Sequence, residues 1–366
     1  MRRDDGTGVS VVIPTLGRAS LQALIAALGA ADRRSWRGPV QVLVVDDRRA
    51  PEAELDPLRG AGRLEVTVLR GRGAGPAAAR NVGWRAAAHD WVVFLDDDVL
   101  PADDWWSRLA DDLTTAAPHV GGVQGRVRVP LSADRRPTDW QRCTAALAHG
   151  RWITADMAYR REALAGVGGF DERLPRAFRE DAELAYRVQQ AGWTLLPGGR
   201  AVTHPVRPES RWVSVRTQRG NADDALLRRL YGPRWRALLD IPTGRRTRHL
   251  AITAAAVAAL GLGAVAVSAG DRRLARVAGL AAGAWAAGAA EFAAARIAPG
   301  PRERRELVTM LLTSLAIPPV ATACWLAGWL RWRGASPMPI VAHRPALSSG
   351  GALRQQASVP AGGGTR

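Results

Sequence analysis

The stretch Trp91-Val92-Val93-Phe94-Leu95-Asp96-Asp97-Asp98 joins five apolar residues to three consecutive carboxylates. A short apolar run bounded by polar residues reads as a strand buried on both faces. Three carboxylates at its end repel one another and lose hydration, which is costly unless a cation compensates. A hard divalent ion with oxygen ligands, together with a phosphate-bearing substrate, meets that need. A solvated acidic turn is the other reading of the triplet taken alone.

The pattern repeats outward towards the N-terminus. Val9–Ile13, Val40–Val45 and Leu64–Leu69 are further apolar runs of strand length, and the second closes on Asp46-Asp47. Between the first two, Arg18–Ala30 carries Leu21, Leu24, Ile25 and Leu28 at helical spacing. Gly71–Pro76 is a glycine-rich turn, and Pro76 suits the first position of a helix through Ala88. Strands alternating with helices predict a parallel sheet with crossover helices. Both acidic clusters follow strands directly, on the carboxyl edge where open α/β sheets bind ligands.

Towards the C-terminus the pattern is mixed. The spacing predicts a helix over Asp103–Ala116, a strand over Gly122–Val129 and an extended piece over Asp156–Tyr159. Asp181–Ala191 reads as an amphipathic helix closed by Gly192. Trp193–Leu196 and Ala201–Thr203 read as two short strands, and Ser210–Leu239 as an Arg-rich helix.

Further candidates for chemistry accompany the triplet. One carboxylate of Asp46-Asp47 suits a base or ribose, although turn capping explains the pair as well. Arg80 and Asn81 follow the glycine-rich turn, whose amides and helix start favour anions. Glu180-Asp181 opens a helix, where a carboxylate serves either as a cap or as a general base. His204 follows a short strand and becomes a ligand candidate only beside an acidic metal site.

Six stretches in order resemble glycosyltransferase family 2, the inverting nucleotide-sugar enzymes of GT-A fold. They are VSVVIPTLGR, VLVVDD, GPAAARNVGWRAA, VVFLDDDVLP, MAYRREALAGVGGFDE and EDAELAYRVQQAGW, within about residues 9–204. The resemblance implies a Rossmann-like mixed sheet flanked by helices. It implies that Pro14, Asp46, Asp47, Arg80, Asp96 and Asp97 line the donor site, with Arg216 and Arg219 as helpers for the diphosphate. It also implies that Asp96, Asp98 and His204 hold Mn²⁺ or Mg²⁺. Asp181, in the pair with Glu180, would be the base that deprotonates the acceptor hydroxyl. The Gln-x-x-Arg-Trp signature of processive members is absent, which points to transfer of one sugar. The opening PTLGR differs from the start of polyprenyl-phosphate mannosyl synthases, and Asp156-Met157-Ala158 stands where many members have a small residue and Asn.

The last third of the chain has another character. Leu250–Gly270 and Leu307–Leu330 carry no charge, and each is long enough to span a bilayer. Val277–Ala290 is a third, Ala-rich run that reads as a span, a hairpin partner or an interfacial helix. A buried Ala-rich bundle is the alternative to membrane insertion. Pro318-Pro319 is tolerated in membrane helices.

The chain of 366 residues has a formal net charge of +17, with Arg as its only cationic residue apart from His. Residues 1–240 hold 36 Arg against 30 carboxylates, and residues 241–366 hold 15 against 4. The excess therefore brackets the apolar runs, which suits anionic lipid better than nucleic acid. The absence of Lys excludes Schiff-base and Walker-type lysine chemistry. Cys143 and Cys324 are too few for a disulfide scaffold.

The expected organisation is a catalytic domain over 1–240, a membrane region of two or three spans over 241–335 and a disordered tail over 336–366. No secretory leader is read at the start, so the catalytic domain of this multi-pass membrane protein is expected on the cytoplasmic side. The expected activity moves one sugar from a nucleotide-sugar donor to a lipid-linked or cell-envelope glycan acceptor. A polyprenyl-phosphate glycosyl synthase and a non-catalytic nucleotide-binding membrane scaffold are the alternatives.

Overall fold

The computed structural model describes residues 7–343 except 32, 34, 35, 52 and 56–59, so most of the expected tail lies outside the described residues. The first half alternates as expected: β1 (Val9–Thr15), α1 (Ser20–Ala30), β2 (Val40–Asp46), β3 (Val66–Arg70), α2 (Pro76–Ala86) and β4 (Trp91–Leu95). There follow β5 (Leu100–Pro101), α3 (Trp105–Thr114), β6 (Val120–Arg128), α4 (Asp139–Ala145), β7 (Asp156–Arg160), α5 (Arg161–Gly166), α6 (Glu180–Gln190) and β8 (Thr194–Thr203). Next come α7 (Val213–Arg216), α8 (Asn221–Tyr231) and α9 (Trp235–Leu238). Three long helices close the chain: α10 (Arg246–Ala269), α11 (Arg272–Ile297) and α12 (Arg304–Arg331).

The sheet order is β3-β2-β1-β4-β7-β6-β8-β5. The first four strands are parallel, as the spacing predicts. β7 then runs antiparallel to both β4 and β6, so the sheet is mixed. Alternate strand residues serve opposite faces. Val11 and Ile13 join Leu24, Trp105 and Trp106 beneath α1 and α3. Val12 and Phe94 join Ala79, Tyr159 and Leu184 beneath α2, α5 and α6. Burial on both faces is why these strands read as unbroken apolar runs.

Two expectations change. The short strands expected on either side of Gly198-Gly199 are one strand, β8, because β6 pairs with Thr194–Pro197 and again with Ala201–Thr203 across a register shift. The helix expected over Ser210–Leu239 is instead α7, a 3₁₀ turn at Thr217–Gly220, α8 and α9. Gly232, at φ +74°, and Pro233 end α8, since proline cannot donate to a continuing helix.

All three C-terminal helices are long and apolar enough to cross a membrane, including the ambiguous Ala-rich run. Leu260, Val267 and Leu280 are 76%, 86% and 75% exposed, so the helices do not bury themselves as a self-contained bundle. Pro318 and Pro319 lie inside α12 without ending it.

A buried cation, Arg296, ties the helices to the N-terminal part of the chain. Arg296 of α11 donates to Thr313 and Ser314 of α12 at 2.7 and 3.0 Å. Its other terminal nitrogen donates to Asp139 of α4 at 2.7 Å and to Ser214 of α7 at 3.1 Å. Nearby, Gly328 of α12 lies so close to Ala222 of α8 that an added Cβ would fall 2.5 Å from its backbone.

Candidate active site

Parallel register brings the ends of β1, β2 and β4 to one edge: Thr15 pairs with Asp46, and Val12 with Phe94. The acidic clusters follow directly, and a cavity of about 880 Å³ opens above them. Of the residues singled out in the sequence, Pro14, Asp47, Arg80, Asp96, Asp97, Asp98, Glu180, Asp181 and His204 line it. Asp46, Arg216 and Arg219 are not among its lining residues.

The three aspartates have three different surroundings. Asp97 is buried, and both its oxygens are used by the end of β1 and the loop that follows: Thr15 Oγ1 donates at 2.6 Å and Arg18 at 2.7 Å. It fixes the acidic turn against the end of β1. Asp96 accepts from Arg80 at 2.7 Å and is partly open to the cavity. Asp98 faces Arg207 Nε at 2.9 Å and His204 Nε2 at 3.4 Å. Burial, reinforced by the charge of Asp96, pushes the Asp98 carboxyl above its ordinary range.

Asp96, Asp98 and His204 each offer a ligand atom, and the three atoms lie within 4.8 Å of one another. Two carboxylates and an imidazole suit a hard to borderline divalent ion such as Mn²⁺. Such an ion would offset the cost of burying the Asp98 carboxylate beside Asp96.

The pair after β2 is divided in the same way. Asp46 is held by Arg48 at 2.8 Å and Arg70 at 3.3 Å, and the Arg48 hydrogen bond keeps its carboxyl below the usual range. Asp47 accepts from the backbone amides of Gly73 and Gly75, both at 2.8 Å. This clamps the glycine-rich loop under the cavity. Gly75 sits at φ +101°, and an added Cβ would fall 2.1 Å from the carbonyl oxygen of Pro175. No side chain fits there.

Arg80 joins the two acidic centres. It is 1% exposed and donates at 2.8 Å to Glu180 and at 2.7 Å to Asp96. Phe170 lies under its guanidinium at 5.5 Å. Glu180 and Asp181 open α6, where the helix dipole favours acid. Arg179 before them adopts the left-handed conformation at φ +75°, a strain of the kind found at functional turns. Burial, then the neighbouring Asp181, raises the Glu180 carboxyl despite Arg80. Asp181 is also raised, mainly by burial, and accepts from the Ala182 amide at 2.8 Å. A carboxylate shifted upward, lining the cavity and without a side-chain hydrogen-bond partner among the described residues fits a general base. Glu180, tied to Arg80, fits a positioning role.

Sequence reading missed Arg207, three residues beyond His204, whose partner Asp98 comes from the turn after β4. Arg18 stands inside the quoted PTLGR stretch but drew no role there. Asp156, flagged as unusual, is a core residue: it is fully buried and accepts from Arg200 at 2.7 Å and Trp105 at 2.9 Å.

Residues 10–164 match the family model described as glycosyl transferase family 2. The matched stretch runs from β1 into α5 and contains the acidic triplet Asp96-Asp97-Asp98. Among curated proteins, the chain is 36% identical over 221 residues to the pre-mycofactocin glycosyltransferase of Mycobacterium tuberculosis (strain CDC 1551 / Oshkosh), covering 56% of this chain and 44% of that one. It is 25% identical over 220 residues to the succinoglycan biosynthesis protein ExoM of Rhizobium meliloti, covering 57% of this chain and 71% of that one. The match thus spans less than half of the mycobacterial relative's length. The structure also resembles the mannosyltransferase PcManGT of Pyrobaculum calidifontis in complex with GDP-Man and Mn²⁺, at 19% identity and TM-score 0.49, covering 89% of this chain and 88% of that one.

Proposed function

We propose that the protein is a metal-dependent, inverting nucleotide-sugar glycosyltransferase that transfers one sugar to a lipid-linked or envelope-glycan acceptor at a membrane face. In this reading residues 1–240 catalyse, residues 241–335 form a three-span anchor, and the catalytic domain faces the cytoplasm, where nucleotide sugars are made. The observation that carries the acceptor class is the continuity of the cavity. Its walls include Asp96, Asp98 and Asp181, but also His249 of α10, Phe292 of α11 and Ile317 of α12. A cavity shared between carboxylates and apolar membrane-type helices suits an acceptor with a polar end and a lipid end.

The residues divide the work. A divalent ion held by Asp96, Asp98 and His204 would offset the charge of the leaving diphosphate. Arg80 keeps Asp96 and Glu180 in register. Asp181 accepts the proton of the acceptor hydroxyl. The hydroxyl oxygen bonds to the anomeric carbon as the bond to the diphosphate oxygen breaks, so the configuration inverts and nucleoside diphosphate departs.

The test is a nucleotide-sugar panel on the purified full chain with Mn²⁺ or Mg²⁺, with and without lipid extract, reading nucleoside diphosphate. The expected result is one preferred donor whose turnover rises with lipid extract and falls with chelator. Absence of turnover with every donor favours the non-catalytic scaffold. Turnover unaffected by lipid extract removes the lipid-linked acceptor.

A further inference from the structure

A second cavity, of about 240 Å³, lies where the start of α10 meets the end of α12 and α8. Arg228, Arg246, His249, Trp325 and Trp329 are among its walls. The indoles of Trp325 and Trp329 stack at 5.3 Å, and the Arg246 guanidinium lies 4.7 Å from the Trp325 ring centre.

The charge here is unbalanced. Among the described residues, neither Arg228 nor Arg246 has a carboxylate within ion-pairing distance. The acids nearest in sequence are already used: Asp223 by Arg176, and Asp224 by Arg179 and Arg236. Both cations are partly buried, which weakens their hydration; Asp224 acts on Arg246 only beyond ion-pair distance, and Arg228 and Arg236 repel it. His249 also stands in this wall and is 9% exposed.

We propose that this cavity holds the glycerol and acyl-chain carbons of an anionic phospholipid, with the phosphate head at its rim within reach of Arg228 and Arg246. Two unpaired guanidiniums recognise phosphate. The aromatic and apolar walls suit glycerol and acyl-chain carbons better than a free ion. Paired Trp and Arg at the ends of apolar helices match the depth of lipid headgroups. Because His249 also lines the larger cavity, the lipid sits against the wall of the candidate active site.

The experiment uses the full chain in neutral detergent, titrated with phosphatidylglycerol, phosphatidylcholine or inorganic phosphate. Thermal unfolding reads stabilisation, and native mass spectrometry counts retained lipid. Phosphatidylglycerol is expected to stabilise saturably, with one tightly held copy, and the other two are not. The double variant Arg228→Gln/Arg246→Gln is expected to weaken the apparent affinity roughly 30-fold, and Trp329→Leu to weaken it independently. Arg302→Gln/Arg304→Gln, at the start of α12, serves as a bulk-charge control and should bind normally. Unfolding temperatures without lipid and donor turnover report the integrity of each variant. The proposal fails if the double variant binds like the parent, if the control pair loses as much, or if inorganic phosphate stabilises as well as the lipid. None of these outcomes depends on the identity of donor or acceptor.

Discussion

Replacing Arg80 by Lys tests whether one guanidinium holds the candidate site together. Arg80 makes two short charge-assisted hydrogen bonds, 2.8 Å to Glu180 and 2.7 Å to Asp96, from a position closed to water. Lysine keeps the charge but is a point donor without the planar fork, so it serves one carboxylate well and not both. A hydrogen bond to a charged group contributes about 1.5–3 kcal/mol. If the lost contact positions Asp96 and α6 for transfer, kcat/KM should fall by about 10- to 150-fold. Alanine is a harsher change: it strands two carboxylates beside a closed pocket and should cost about 3–5 kcal/mol of stability. The assay is steady-state nucleoside diphosphate release with Mn²⁺, beside thermal unfolding of each variant. A cycle combining Arg80→Lys with Glu180→Gln should show coupling above about 0.5 kcal/mol. Unchanged kcat/KM in a stably folded Arg80→Lys protein, or no coupling in the cycle, refutes the bridge.

Asp98→Ala should abolish metal-dependent donor turnover while leaving the fold intact, since among the described residues only Arg207 and His204 lean on it; undiminished turnover with Mn²⁺ removes the metal assignment. Asp181 is raised in the folded protein, by burial first and with Asp96 adding to it, against the pull of Arg80 and Arg179. Its basic form is thus populated only above that raised value, so activity should be lost as pH falls, on a limb displaced upward from the ordinary Asp value of about 3.9. In Asp181→Asn turnover itself should collapse, and a normal rate in that variant excludes it as base. Asp156→Ala leaves Arg200 without its closest carboxylate in the core and should cost about 3–5 kcal/mol, read by denaturant unfolding.

Much of the catalytic half was legible because its signals are local. An apolar run buried on both faces looks the same in sequence and in the sheet, and Trp91–Leu95 is β4 to the residue. The acidic triplet was legible as a cluster but not as three separate roles. Nothing within the triplet distinguishes Asp97 from Asp98; the distinction comes from Thr15 and Arg18 about 80 positions earlier and from His204 and Arg207 about 100 later. His204 entered only through the acidic triplet and the family resemblance, since a single histidine carries no spacing signal. Gly198-Gly199 read as a break because pairing with β6, which overrides local propensity, is invisible to one sequence. The Arg296 junction was illegible for the same reason: its four partners are spread over three helices.

That junction has a geometric consequence. Through Arg296, α11 and α12 are bonded to α4 and α7, beside the cavity. With α10 to α12 embedded as proposed, the catalytic centre stands at one altitude above the lipid surface and does not swing on a tether. An acceptor is then measured as well as recognised. The reach between its lipid tail and its reactive hydroxyl must match that altitude, and a molecule with the right sugar on too short or too long a stalk is refused by distance alone.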